Sequence, residues 1–231
     1  MSVGVRRVGD VLLPTTCPCC GARGDAPCAG CRARLRPAPP APPPPGVDDW
    51  VALLAYEGTG RDLVARLKYR NARSALAWLA DGVARLVDPT GIDVVTWAPT
   101  TPARRRARGF DQAELLARAV ARRLVRPCRG LVRRQPGPAQ TGRGAAERRH
   151  VAVRCVGRPP PRVLVVDDVA TTGATVASVA AALRGSGTVE VRVATAARTP
   201  ARTGRLPSAG HAVDPGGSRG HQGQWPSHGG L

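Results

Sequence analysis

The apolar positions of the 231-residue chain fall into short continuous runs separated by stretches of helical spacing. Val163-Leu-Val-Val166 is apolar throughout and ends in polar residues. A Val-rich run of that length predicts a strand buried on both faces of a parallel sheet. Val51–Tyr56, Ile92–Trp97 and Val189–Thr195 predict further strands. The spacing of Leu63, Val64 and Leu67 predicts a helix over Arg61–Tyr69, after a turn at Glu57-Gly-Thr-Gly60. A second helix is expected over Ala75–Leu86. A third is opened by Gly109-Phe-Asp-Gln112 and carries Ala113, Leu116, Ala117, Val120 and Leu124 on one side. The Ala and Val of Val176–Leu183 predict a fourth, and Leu131-Val132 starts a further segment.

The chemistry is concentrated after the Val163 run. Asp167 and Asp168 stand where the strand is expected to end. Ala170, Thr171, Thr172, Gly173, Ala174 and Thr175 make a small, hydroxyl-rich loop before the Val176 helix. A loop entering a helix turns free N–H groups outward, and the helix dipole adds positive potential there. Phosphate fits such a nest. Two carboxylates beside a phosphate nest are electrostatically odd unless they accept hydrogen bonds from hydroxyls. A ribose 5-phosphate answers both demands, with its 2- and 3-hydroxyls on Asp167 and Asp168 and its phosphate on the loop. The plainer reading is a buried strand followed by an Asp-capped helix, for which one aspartate suffices.

A second charged cluster follows the Ile92 run. Pro99-Thr-Thr-Pro102 reads as a loop, and Arg104, Arg105, Arg106 and Arg108 come directly after it. Arginine gives forked hydrogen bonds to phosphate oxygens, so the cluster suits a second ligand phosphate; a solvated basic turn is the alternative. The Gly/Pro-rich stretch from Gln135 to Gly144, with Gln140 and the later Arg148, reads as a mobile loop of the kind that serves as a lid.

Cysteine spacing adds a separate unit. Cys17/Cys20 and Cys28/Cys31 form two C-x2-C turns seven residues apart, and two such turns complete a tetrahedral thiolate site. Zinc is the expected ion, iron its competitor and disulfides the alternative. Cys19 is the spare thiol. The next stretch, Arg36–Gly46, holds a polyproline segment and reads as a semi-rigid spacer unable to join a core. Beyond Pro200 periodicity is lost. The expected organisation is a metal knuckle over 1–35, a linker over 36–46, a main domain over 47–200 and a disordered tail over 201–231.

Net charge is +19, carried almost wholly by arginine, and Lys68 is the only lysine. The resulting field attracts phosphorylated ligands or nucleic acid. Aromatics at 3 % argue against base-stacking platforms. No stretch reaches the roughly 20 apolar residues of a membrane span. Residues 1–13 lack the apolar core of a signal peptide, so a cytoplasmic protein with reduced cysteines is expected.

Val-Leu-Val-Val-Asp-Asp-Val-Ala-Thr-Thr-Gly-Ala-Thr closely resembles the phosphoribosyl pyrophosphate (PRPP) motif of type I phosphoribosyltransferases. Over Cys17 to about Arg198 the chain resembles the ComF family (ComF/GntX). That likeness rests on the paired cysteine turns, Tyr56-Glu-Gly58, Leu67-Lys-Tyr69, Arg108-Gly-Phe-Asp-Gln112, Gln140 with Arg148, and Asp167-Asp168. Asp111 stands where that family usually has Asn, and Arg149-His-Val-Ala-Val153 departs from its usual loop. The resemblance implies a type I phosphoribosyltransferase fold, a mainly parallel sheet flanked by helices. It also implies Mg2+ with PRPP as ligand, glycosyltransferase activity toward an undefined acceptor, and a link to competence and DNA uptake. In that scheme Asp167 and Asp168 hold the ribose, residues 170–175 the 5-phosphate, and Arg104, Arg106 and Arg108 the pyrophosphate. A lid with Gln140 and Arg148 excludes water. The rival expectation is a non-catalytic sensor whose knuckle and arginine surface meet single-stranded DNA or the uptake machinery.

Overall fold

The computed structural model describes residues 16–67, 73–135 and 152–200. Gln140, Arg148, Lys68, Tyr69 and the tail lie outside the described residues. In chain order the elements are α1 (Ala29–Arg32), β1 (Asp49–Ala55), α2 (Gly58–Arg66), α3 (Arg73–Arg85), β2 (Val94–Trp97), α4 (Pro102–Arg108), α5 (Gln112–Leu124), β3 (Val132–Arg134), β4 (Val153–Cys155), β5 (Arg162–Ala170), α6 (Ala174–Arg184) and β6 (Glu190–Arg198). Four strands form one sheet in the order β1-β6-β5-β2, with every pairing parallel. β3 and β4 form a separate antiparallel ribbon.

Side-chain alternation along the two central strands builds the layers. Val163 and Val165 of β5 and Val191 and Val193 of β6 join Val176, Val179 and Leu183 of α6 on one face. Leu164, Val166, Ala194 and Ala196 face the other way, onto Leu79 and Val83 of α3 and Leu116 and Val120 of α5. Period 2 in the strands thus sends alternate residues to opposite helical layers. The core is built from small side chains, so the elements approach closely. A Cβ on Gly60 would sit 2.5 Å from the Ala55 carbonyl oxygen, which only glycine at the start of α2 avoids.

Several elements differ from expectation, each for a physical reason. β5 runs through both aspartates to Ala170, because β6 continues beside it and pairs Asp167 with Thr195, Val169 with Ala197 and Ala170 with Arg198. Ala170 is therefore the last residue of a strand, not part of the loop. Gly58 opens α2 where a turn was expected. Pro102, expected to end a loop, instead starts helix α4, which carries the arginine cluster: Thr101 caps it by accepting from the Arg104 amide at 3.2 Å, Pro102 takes the first helical position, and Gly109 closes it at φ 76.

The proline stretch is also not a free spacer. It lies along the outer edge of β1, where Ala38 N donates to the Leu53 carbonyl (3.2 Å) and Ala55 N to the Arg36 carbonyl (2.9 Å). Both bonds are made by the non-proline residues that flank Pro37, which itself has no N–H to donate.

Candidate functional site

A cavity of about 430 Å³ opens at the carboxyl ends of β5 and β2, the place where open parallel sheets take ligands. The β5–α6 connection contributes Asp167, Asp168, Thr171 and Thr175. The residues after β2 contribute Pro99, Thr100, Arg104 and Arg108, and the start of α5 contributes Asp111 and Gln112. Tyr56 and Arg134 complete the wall. Asp167, Val169, Thr171 and Thr175 also line a smaller hollow formed by residues 170–176. The acidic pair and the loop cradle therefore open onto shared space.

The cradle offers positive potential at a helix start. α6 begins after Gly173, which holds φ 74, and no side chain caps it. Its first N–H groups have no intrahelical partner and point, with the dipole, toward the hollow. Thr172 Oγ1 lies 3.4 Å from the Ala174 amide.

The acidic side is under electrostatic load. Asp167 is 9 % exposed. Burial first, and then the neighbouring charge of Asp168, hold its carboxyl well above the usual carboxylate range. Asp168 N donates to Asp167 Oδ1 at 2.8 Å, and Val169 N to Asp168 Oδ1 at 2.9 Å. Asp111, 4 % exposed, is also pushed up by burial, although Thr100 N (3.0 Å) and Ala113 N (3.1 Å) donate to it. Three carboxyl groups in one cavity favour a ligand that brings hydroxyls or a divalent cation.

The basic side faces them. Arg108 Nη1 donates to Gln112 Oε1 at 2.9 Å, which orients its guanidinium. Burial, and then the positive charge of Arg104, lower the pKa of Arg134. Guanidinium groups converging on one cavity are repulsive until an anion sits between them. Among the predicted site residues, the structure brings together Asp167, Asp168, Arg104, Arg108 and residues 170–175. Arg106 stands exposed on α4, outside the cavity lining, and Gln140 and Arg148 lie outside the described residues. The sequence-based site omitted Tyr56, Asp111, Gln112 and Arg134. Three of these stand within the motifs quoted above, but Arg134 is one arginine among many and carries no sequence signal.

The cysteine unit is separate. The Sγ atoms of Cys17, Cys20, Cys28 and Cys31 all lie within 4.8 Å of one another, and those of Cys20 and Cys28 within 3.6 Å. Tetrahedral Zn–S bonds place sulfurs about 3.8 Å apart, so the four fit the ion. Cys28 N (3.4 Å from Cys17 Sγ) and Arg34 Nη2 (3.2 Å from Cys31 Sγ) direct N–H groups at sulfur, as thiolates require. Burial first, and then the neighbouring thiols, push Cys31 up to about 12; a cation among the sulfurs reverses that. Cys19 turns away, its Sγ 4.0 Å from the Thr59 carbonyl oxygen.

Among the described residues no helix is long and apolar enough to cross a membrane. No protein-family model and no curated protein matches the chain. Solved structures do. One is the allosteric regulatory enzyme of purine biosynthesis, at TM-score 0.42 and 21 % identity over 57 % of this chain and 30 % of that one. A second is the glutamine PRPP amidotransferase from B. subtilis complexed with ADP and GMP, at TM-score 0.42 and 22 % identity over 56 % of this chain and 30 % of that one. A third is the orotate phosphoribosyltransferase from Aeropyrum pernix, at TM-score 0.33 and 22 % identity over 60 % of this chain and 76 % of that one. The chain thus spans about 30 % of the length of the first two.

Proposed function

We propose that this chain binds PRPP with Mg2+ and transfers its phosphoribosyl group to a nitrogen acceptor. The observation that carries the reading is the shared space between the Asp167–Asp168 pair and the 170–175 cradle. The cradle takes the 5-phosphate, the paired aspartates the ribose hydroxyls, and Arg104 and Arg108, joined by Arg134, the pyrophosphate. Oxygen donors suit Mg2+; Asp168, at the cavity wall, would hold it, and bound there it would supply positive charge against the pyrophosphate. As the C1–O bond breaks, pyrophosphate leaves with the bonding electrons and positive charge develops on the ribose. The carboxylates below the ring stabilise that charge, and the acceptor nitrogen supplies the new bond.

The finer affiliation belongs to the same proposal. A cysteine knuckle ahead of a phosphoribosyl site is the ComF arrangement, and with it come the link to DNA uptake, a cytoplasmic location and structural Zn2+ on Cys17, Cys20, Cys28 and Cys31. So do the four-part organisation and a lid carrying Gln140 and Arg148. Calorimetry with PRPP and Mg2+ tests the core of it. The expected result is one saturable site, abolished in the Asp167→Asn/Asp168→Asn protein; a silent titration of the wild type sinks the reading. Pyrophosphate release across a panel of bases then separates transfer from sensing.

A further inference from the structure

A second cavity, of about 600 Å³, lies beside the first, between α4, the start of α5 and strand β3. Pro99, Thr100, Asp111 and Arg134 line both, so the two chambers meet along one wall. The proposed PRPP site accounts for the first chamber and leaves the second unassigned.

The charge of the second chamber is positive. Arg105, Arg133 and Arg134 stand in its lining against two carboxyl groups, Asp111 and Glu114. Glu114 is already committed: Arg118 donates to its Oε1 from Nε (3.1 Å) and Nη2 (2.9 Å), and Arg105 Nη2 lies 3.6 Å from its Oε2. Asp111 accepts from two backbone amides, and burial holds its carboxyl above the ordinary range. Arg133 is directly opposite Arg154 of β4, and like charges in that register repel. An anionic group seated between these guanidinium groups relieves the repulsion and gains forked hydrogen bonds. Another part of the lining is aromatic. Trp97, at the end of β2, stands there with Gly130. A Cβ on Gly130 would come within 3.1 Å of Trp97 Cη2, so glycine keeps the edge of the six-membered ring uncrowded. Arg118 fixes the indole as well as Glu114, its guanidinium 5.7 Å from the ring centroid. Aromatic surface of this kind suits a flat ring.

We infer that the second chamber seats the acceptor, and that the acceptor is a planar nitrogen heterocycle carrying an acidic substituent, with Arg105 and Arg133 on the acid and Trp97 beside the ring. This rests on the PRPP reading of the first chamber. The acceptor nitrogen meets the ribose across the shared wall. Its lone pair forms the bond to C1 as the C1–O bond breaks, and the electron pair of that bond leaves with pyrophosphate. A proton carried by that nitrogen passes to the departing pyrophosphate.

The test uses the full chain. PRPP–Mg2+ is titrated first. Matched acids and neutral partners, nicotinate with nicotinamide and orotate with uracil, are then titrated into protein saturated with ribose 5-phosphate and Mg2+, which has no leaving group and so reports binding without turnover. Expected is an acid that binds about 10-fold tighter than its neutral partner. That preference should vanish in Arg105→Ala/Arg133→Ala, two exposed residues outside the lining of the first chamber, while PRPP–Mg2+ affinity stays within about 2-fold of wild type. Benzoate should exceed cyclohexanecarboxylate; parity refutes the flat ring. PRPP binding with no acid preference, or with a preference that survives the double substitution, overturns the acceptor assignment and leaves the PRPP reading standing. So does an acid that displaces PRPP, which places it at the pyrophosphate end. A wild type silent to PRPP–Mg2+ fails the PRPP reading and the acceptor assignment with it.

Discussion

The two helices that enter the cavity start in opposite ways. α6 begins at Gly173 with no side-chain cap, whereas α5 begins at Asp111, whose carboxylate accepts from the Ala113 amide. α6 follows strand β5 and α5 follows helix α4, and both mouths carry the positive end of a dipole. At the α6 mouth the first amide meets only a neutral hydroxyl, Ala174 N donating to Thr172 Oγ1 at 3.4 Å, and no carboxyl group sits in the cap. A capped mouth has spent an amide on the protein and placed a carboxyl group there as well. In the proposed complex, anion binding at the α5 end therefore falls to the side chains that line the cavity there, Arg104, Arg108 and Arg134. One end of the cavity offers backbone amides, the other guanidinium groups.

The comparison breaks most visibly if the carboxylates between the two ends are removed. Asp167→Asn with Asp168→Asn should cost about 3 kcal/mol or more in PRPP–Mg2+ binding, since each loses a charged acceptor for a hydroxyl; calorimetry reads this. Gly173→Ala attacks the open mouth. At φ 74 a Cβ is strained and also meets Pro44, so a loss of about 1–2 kcal/mol in stability and a weaker cradle are expected, seen in denaturant melts and in titration with ribose 5-phosphate. At the other end, Arg108→Ala should weaken PRPP by about 10-fold while leaving ribose 5-phosphate nearly unaffected. Arg106→Ala, outside the cavity, should change neither.

The smallest effect sharpens the contrast best. Asp111→Asn removes a negative charge from the capped mouth, so affinity for PRPP should rise by about 2- to 5-fold, at a cost of about 1 kcal/mol in the cap. The raised carboxyls add a pH signature. Asp167 and Asp111 hold protons in the folded state that the unfolded chain has released, so stability falls as pH rises from the ordinary carboxylate range through their elevated folded values, and levels off above them. Binding of a divalent cation with PRPP favours the ionised pair. Proton release on binding, measured in buffers of different ionisation enthalpy, should therefore appear in the wild type and shrink in Asp167→Asn.

The Val163–Val166 run, the acidic pair, the small threonine loop and the two cysteine turns were legible because each is a contiguous pattern whose chemistry depends on neighbours in the chain. α4 was also written there, as Thr101 cap, Pro102 first position and Gly109 stop, but two prolines and four arginines resemble a basic loop until the cap bond is seen. The chain itself determined that a helix-start loop would adjoin two carboxyl groups, since strand, loop and helix follow one another without interruption. Tertiary structure alone decided which of many identical arginines line the cavity that adjoins those residues, that Arg134 is among them and Arg106 is not. It also laid the prolines along β1, because contact across the sheet depends on distance in space and leaves no periodic trace in the sequence.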